Sequence, residues 1–482
     1  MLIRQTLAYF PAQILSPIIQ FVIAIVLTYK LGTADYGLTM LIFASQELIF
    51  QVVLAWWTSY FLRYAGSHEH EQGRRDVAAL EASILLVTGA VQILATLLLV
   101  AISTSEPSAG FTLAACGYVI TRSFLNFLSE KARREERILD YSVLQIGTSL
   151  ASLVLTLVMI AWSGATPTRV LTDFALMHGV ITLWVAWRMN VLALPGRFNM
   201  ATLMAALRFG IPVSVSNLFG WLSSQGIRFV VQYGAGAAAL GLLSVAWGIA
   251  IRLTVVAAMV VAAAAYPLAV RAAERGDLEG ARRQLSNNSA LLLGLIAPST
   301  AGLIAINEPF VTLLVGAEFR DATIQLLPWA LICAAIRNLR MHGWDQMYLL
   351  FEAPRPMVIL ESLEALVTAL AAWLGLVMFG LKGAVIGAAL AAFVVAVADY
   401  AYLNRRFGLQ APLAFYLKIA AATAIMVGAV LALPTLGVPV TPSWPSLLLA
   451  ITVGGLAYIL AILVLFGGMI RTGLRAWQAR RA

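Results

Sequence analysis

Five arginines, Arg122, Arg228, Arg252, Arg337 and Arg340, interrupt stretches of sequence that are otherwise nearly free of charge. A guanidinium stays protonated at physiological pH and offers a planar fork of donors that matches carboxylate and phosphate oxygens. Inside an apolar run long enough to cross a bilayer, such a group faces a bundle interior or a water-filled path, because lipid cannot solvate it. The chemistry these residues suggest is non-covalent: capture of an anionic group within a membrane. Carboxylates are embedded in the same way at Glu47, Asp173, Glu361, Glu364 and Asp399. A carboxyl so placed is a candidate carrier in a proton or sodium cycle, and equally a candidate structural partner for one of the arginines.

Uncharged polar residues accompany the arginines at helical spacing. Ser214, Asn217, Trp221, Ser224, Gln225, Arg228 and Gln232 draw one polar stripe. Tyr118, Arg122, Asn126 and Glu130 follow at intervals of four with Ser129 beside them, and Gln13, Ser16 and Gln20 form a weaker stripe. Gln20, Asn126, Asn217, Trp221 and Gln225 are therefore expected to line a cavity. Other roles stand beside anion capture. Arg228 and Arg340 lie near span ends, from which a long side chain reaches the headgroups. Arg122 has Glu47 as a candidate ion-pair partner, since Glu130 is ~12 Å further along the helix. Trp221, Trp247 and Trp344 offer faces for sugar rings but suit bundle packing and the interface as well. The run His68-Glu69-His70-Glu71 lacks the spacing of a helical zinc site and reads as a solvated loop. No metal or cofactor is expected, apart from Na+ or H+ as a coupling ion, and no GxxxxGK[ST] loop is present for direct use of ATP.

Many membrane-length helices are needed to hold these residues. Of the 482 residues 61% are hydrophobic and 11% charged, against roughly 45–50% and about 25% in soluble domains. Apolar runs bounded by charge or by Gly and Pro turns predict about fourteen spans of ~20 residues or more. They fall near 8–29, 37–62, 78–102, 110–130, 142–163, 169–189, 209–232, 239–266, 288–306, 324–350, 357–379, 383–403, 413–434 and 446–469. The first run is too long for a signal-peptide core and reads as a retained span. Cys116 and Cys333 both lie within apolar stretches and suggest no disulfide framework.

Of the 32 Lys and Arg, only Lys30, Arg169, Arg320 and Lys382 fall between spans on one side, while five lie within spans and all others are on the opposite side. By the positive-inside rule both termini are cytoplasmic and the span number is even. The net charge of +9 thus reports topology, and nucleic acid is not expected as a partner. The outer connections are short, the longest running from about Asn307 to Thr323, and leave no room for an external catalytic domain. From Ala269 to Ser286 a charged pattern predicts a helix lying on the cytoplasmic membrane surface.

The turn Tyr29-Lys30-Leu31-Gly32-Thr33-Ala34-Asp35-Tyr36-Gly37-Leu38 recurs loosely as Tyr233-Gly234-Ala235-Gly236-Ala237-Ala238-Ala239-Leu240-Gly241-Leu242. Each copy follows a span with an early proline, Pro11 or Pro212, and the offset of six spans makes the repeat parallel. These turns, together with Ile227-Arg228-Phe229 and the tight Ala353-Pro354-Arg355-Pro356, resemble the polysaccharide transporter family. That family contains the O-antigen and oligosaccharide-lipid flippases of the MOP superfamily, relatives of MATE drug exporters and lipid II flippases. Members often carry an acidic residue where this chain has Ile227, so the resemblance assigns no ion pair to Arg228.

The resemblance implies an all-α polytopic membrane protein with two six-helix lobes around a central cavity, and two further helices at the C-terminus. The corresponding segments are 1–195, 196–408 and 409–482. It implies alternating access in a bacterial inner membrane, with an undecaprenyl-pyrophosphate-linked oligosaccharide as cargo for surface polysaccharide assembly. A polysaccharide polymerase and a chain-length regulator would be its partners. Diphosphate needs a polar path through hydrocarbon. Arg122, Arg252 and Arg337 lie ~18–20 Å from the outer ends of their spans, as if ringing one level. Three rivals remain: a MATE-like antiporter, which would need acidic binding groups; a lipid II flippase; and a membrane glycan polymerase or ligase, which would need a large outer loop.

Overall fold

The computed structural model describes residues 2–64, 71–104, 107–191 and 200–468. Within them no strand occurs, as expected where no water is available to satisfy an exposed sheet edge. The His68 run lies largely outside the described residues.

Contacts divide the chain into two compact units, Met1–Ser244 and Val245–Ala482. The first contains α1 (Leu2–Thr28), α2 (Thr33–Val53), α3 (Ala55–Tyr64), α4 (Glu71–Ser103), α5 (Ala109–Arg134) and α6 (Ile138–Ser142), then a π-turn (Val143–Gly147). It continues with α7 (Thr148–Ser163), α8 (Pro167–Arg188), α9 (Met200–Gln225) and the first part of α10 (Ile227–Glu274). The second unit takes the rest of α10, then α11 (Leu278–Ala305), α12 (Asn307–Leu314) and α13 (Ala317–Leu339). A second π-turn (Arg340–Trp344) leads to α14 (Gln346–Leu350), α15 (Pro354–Phe407), α16 (Leu413–Ala432) and α17 (Trp444–Leu465). In the first unit α9 packs against α2 and α3, although the sequence repeat groups its span with the later ones.

Thirteen of the described segments are long and apolar enough to cross a membrane, and one, Arg355–Phe407, runs to 53 residues. It breaks at Gly380, whose φ of 66° and ψ of −157° are open to glycine. The two arms of α15 then pack antiparallel: a Cβ on Gly383 would overlap the Gly375 carbonyl, and one on Gly387 the Ala371 carbonyl. Counting both arms gives fourteen, and the chain is a multi-pass membrane protein. Its lipid-facing surface is correspondingly apolar, with Leu86, Leu94 and Leu98 exposed on α4 and Val377, Met378 and Phe379 on α15.

Local signals set the helix ends. Ser108 accepts from the Phe111 amide at the start of α5, and Thr166 from the Arg169 amide where Pro167 opens α8. One expectation fails here. Residues 269–286 form no separate surface helix: α10 runs on to Glu274 and α11 starts at Leu278. Gly276, at φ 80°, ends one helix, and Asp277 caps the next by accepting from the Gly280 amide at 2.7 Å. Likewise the outer connection 307–323 is mostly α12 and the first two turns of α13.

The two copies of the repeated turn meet inside the first unit. A Cβ on Gly37 would overlap the Ala237 carbonyl, and a Cβ on Gly241 would overlap the Thr33 carbonyl. Gly37 and Gly241 are equivalent positions of the repeat, as are Thr33 and Ala237, so the contact is reciprocal. Gly236, at φ 82°, turns the chain just before it.

Candidate functional site

In the first unit the site is built around α5. Its residues Tyr118, Arg122, Asn126 and Glu130 share one face, as the spacing predicts. Tyr118 packs on Phe43 of α2, with ring centroids 4.8 Å apart, and on His178 of α8 at 5.8 Å. Arg122 lies within electrostatic reach of both Tyr118 and His178. It forms no ion pair within 4.0 Å among the described residues. Glu47 does not bridge to it, and instead accepts from the Trp221 indole N–H at 3.0 Å. Glu130 pairs with Arg133 at 2.6 Å. His178, which sequence reasoning did not single out, is buried with its Nδ1 unpartnered among the described residues.

A polar cavity of about 330 Å³ lies one turn further along α5. Asn126, Ser129 and Glu130 line it from α5, Gln51, Thr58 and Ser59 from α2 and α3, Gln145 from the π-turn and Asn217 from α9. Two of the five expected lining residues, Asn126 and Asn217, thus meet here. Trp221, one turn beyond Asn217, binds Glu47; the half-buried Gln225 has its Oε1 unpartnered among the described residues. Gln20 donates to Ser16 Oγ at 3.2 Å, and Ser16 meets Ser149 of α7 at 2.9 Å, so the weaker stripe seals a helix contact. Arg228 is half-buried on α10 just after the break at Gly226, and Asp173 is buried on α8 one turn from Arg169.

The second unit holds a buried charge network. Glu364 Oε1 pairs with Arg337 Nη1 at 3.1 Å and its Oε2 with Arg340 Nη2 at 2.5 Å. Arg340 Nη1 also reaches Asp345 Oδ2 at 3.5 Å. Asp399 accepts from Trp344 Nε1 at 2.8 Å and from the Tyr348 hydroxyl at 2.7 Å, and Asp345 is within electrostatic reach of it. Glu361 completes the set near Arg340. All six charged residues are 5% exposed or less. The π-turn brings them together: the Asp345 amide donates to the Arg340 carbonyl at 3.0 Å, an i→i+5 closure that sets Asp345 over Arg340. In an α-helix, residues five apart point roughly 140° away from each other, which is why Asp345 escapes a reading at helical period.

Of the five intramembrane arginines, then, Arg337 and Arg340 sit in this network. Arg252 is half-buried on α10 and donates to the Gly248 carbonyl one turn back at 3.2 Å. Trp247 is 2% exposed and offers no face to a sugar, while the half-buried Trp344 donates its indole N–H to Asp399. Elsewhere in this unit an apolar cavity of about 760 Å³ opens among α11, α13 and α16, lined by residues such as Leu293, Ile296, Ile332, Ile336, Val427 and Leu431.

Residues 2–273 match the polysaccharide biosynthesis protein family. No curated protein matches the sequence. Among solved structures the chain is similar to lipid II flippase MurJ in an inward closed conformation, with a TM-score of 0.73 at 14% identity over 97% of this chain and 100% of that one. It is also similar to an inward-facing multidrug resistance MATE transporter of the MOP superfamily (TM-score 0.62, 16% identity, 84% of this chain and 95% of that one). A third likeness is to a MOP superfamily transporter from Pyrococcus furiosus, described as having a binding pocket of reverse polarity (TM-score 0.55, 14% identity, 84% and 94%). The fold is thus that of the MOP superfamily transporters, and the chain belongs to the polysaccharide biosynthesis protein family.

Proposed function

We propose that the protein is a flippase that moves an undecaprenyl-pyrophosphate-linked oligosaccharide from the cytoplasmic to the periplasmic leaflet of a bacterial inner membrane by alternating access. The observation that carries this reading is Arg122: a cation in mid-span with no carboxylate within 4.0 Å among the described residues. A half-buried guanidinium with no counter-charge beside it is receptive to an anion, and an arriving diphosphate supplies an acceptor with bidentate geometry. The polar cavity one turn along α5, with Asn126, Asn217, Gln51 and Gln145, offers amides for sugar hydroxyls. The apolar cavity of the second unit, lined by aliphatic side chains, suits isoprenoid carbons. No covalent step is required. Membership of the polysaccharide biosynthesis family supports a glycan-bearing cargo, and the Lys and Arg distribution supports cytoplasmic termini. The polymerase and chain-length regulator that use the delivered glycan are its expected partners.

The test is translocation of a fluorescent undecaprenyl-pyrophosphate oligosaccharide in proteoliposomes. Arg122→Ala is expected to slow translocation about tenfold or more, the worth of a charge-assisted hydrogen bond of ~1.5–3 kcal/mol, and Arg122→Lys to retain part of the rate. Intact protein that moves only lipid II, or only an organic cation against an ion gradient, would overturn the proposed cargo.

A further inference from the structure

At the arginine-rich end of the first unit, α5 and α8 stop in the same way. Glu136, at φ 56°, and Asn190, at φ 54°, turn the chain through the left-handed region. In each case the next amide closes back on a last-turn carbonyl, Arg137 on Ala132 at 2.9 Å and Val191 on Ala186 at 3.0 Å. The matched ends bring Arg137, Asp140 and Arg188 together. Asp140, in the first turn of α6 and with its side chain 4% exposed, accepts from Arg137 Nε at 2.6 Å and pairs with Arg188 Nε at 3.2 Å. Arg137 Nη2 also donates to the Arg188 carbonyl at 3.3 Å, one of those that a helix end leaves without an intrahelical partner.

Two guanidinium groups thus share one carboxylate, and among the described residues no other carboxylate lies within 4.0 Å of either. The corner carries a surplus positive charge that is open to the outside, since the side chains of Arg137 and Arg188 are 31% and 42% exposed. An arginine that merely snorkels is loose among the headgroups. Arg188 is held, by Asp140 at Nε and by the Trp184 ring, whose centroid is 5.6 Å from the guanidinium carbon. Its Nη1 and Nη2 are left uncommitted among the described residues, a pre-oriented fork that matches two oxygens of a phosphate. Apolar side chains surround that fork. Leu139, next to Asp140, is exposed, as are Trp184 and Trp187, and the exposed stripe continues along α8 through Leu183, Val180 and Leu176 at helical spacing. Tryptophans so placed mark the headgroup level of a bilayer.

We propose that Arg188, with Arg137 beside it, binds the phosphate of an anionic phospholipid whose acyl chains lie along the exposed face of α8. Charge sets the selectivity. Phosphatidylglycerol brings one negative charge, which neutralises the surplus on the corner. Phosphatidylethanolamine has the same phosphate but carries its own ammonium, and the one carboxylate that could receive that ammonium, Asp140, is buried beneath the two Nε groups. A soluble phosphate would satisfy the fork and leave the apolar stripe unused. The site is separate from Arg122, which lies roughly 18 Å before the end of α5. Lipid binding here does not depend on which cargo the protein carries, and a lipid so held would tie the start of α6 to the end of α8.

The test is native mass spectrometry of the purified protein, titrated with phosphatidylglycerol and separately with phosphatidylethanolamine of the same acyl chains. Intact protein is expected to bind phosphatidylglycerol about tenfold more tightly, the worth of one charge-assisted contact. Arg188→Ala should abolish that preference. Arg283→Ala on α11, which removes an exposed arginine paired with Glu279, should leave it unchanged. Equal binding of the two lipids by the intact protein overturns the proposal, and so does an equal loss in both variants, which would show a response to net charge alone. Displacement of phosphatidylglycerol by inorganic phosphate would overturn it in favour of a free anion as ligand. Photo-crosslinking of the intact protein decides the matter even if Arg188→Ala does not fold. A phosphatidylglycerol with a diazirine in its acyl chain should label α8 between Leu176 and Trp187 more strongly than the matching phosphatidylethanolamine, and equal labelling there by the two probes overturns the site.

Discussion

Glu364 is a single carboxylate between two arginines, and that arrangement decides what its removal does. Glu364→Gln would leave Arg337 and Arg340 buried with their shared counter-charge gone, a change that costs about 3–5 kcal/mol in comparable buried pairs. The thermal midpoint of the purified protein should fall accordingly. The combined variant Arg337→Met, Arg340→Met and Glu364→Leu should recover much of the loss, because apolar groups of similar volume avoid the desolvation penalty. The same melting curves check both. Each of these side chains was legible in the sequence as an ionisable group in an apolar run. Their pairing was not, since Arg340 and Glu364 are 24 positions apart and nothing in one sequence says which span faces which. Asp345 was hidden for another reason: only the π-turn lets a residue five positions on share a face with Arg340. In the first unit the α5 stripe was legible because it obeys plain helical period, whereas the Glu47 carboxylate, a candidate partner for Arg122, is bound by Trp221 of another helix.

At the level of helices, the hairpin within α15 depends on close backbone approach at Gly375, Gly383 and Gly387. Gly387→Leu should force the two arms apart at a cost of roughly 1–3 kcal/mol or more, read as a drop in thermal midpoint. Gly89→Ala on α4 is the control, since a Cβ there meets nothing within 4 Å. The region 269–286 misled for a physical reason. Its charges suit a surface helix, but Gly276 followed by Asp277 is a helix stop and a helix start in adjacent positions. Those two residues outweigh the amphipathic pattern around them and split the segment between α10 and α11.

Over the whole chain, the number of membrane crossings followed from composition and turn residues, because apolar length is imposed by the bilayer itself. Which spans pack together is set by side-chain fit, and the packing of α9 on α2 and α3 was not visible in the repeat. The repeat was more informative about its own turns. Gly37 abuts Ala237 as Gly241 abuts Thr33, so each glycine's clearance depends on the same approach of two helices. The two positions must therefore be energetically coupled. Once a methyl at either site has driven the helices apart, a methyl at the other has little left to displace. Gly37→Ala and Gly241→Ala should each lower the melting temperature, and the double variant should lie well above the sum of the two losses. An interaction energy of about 0.5–3 kcal/mol is expected for such contacting sites, and simple additivity in that double-mutant cycle would show that the two glycines act independently.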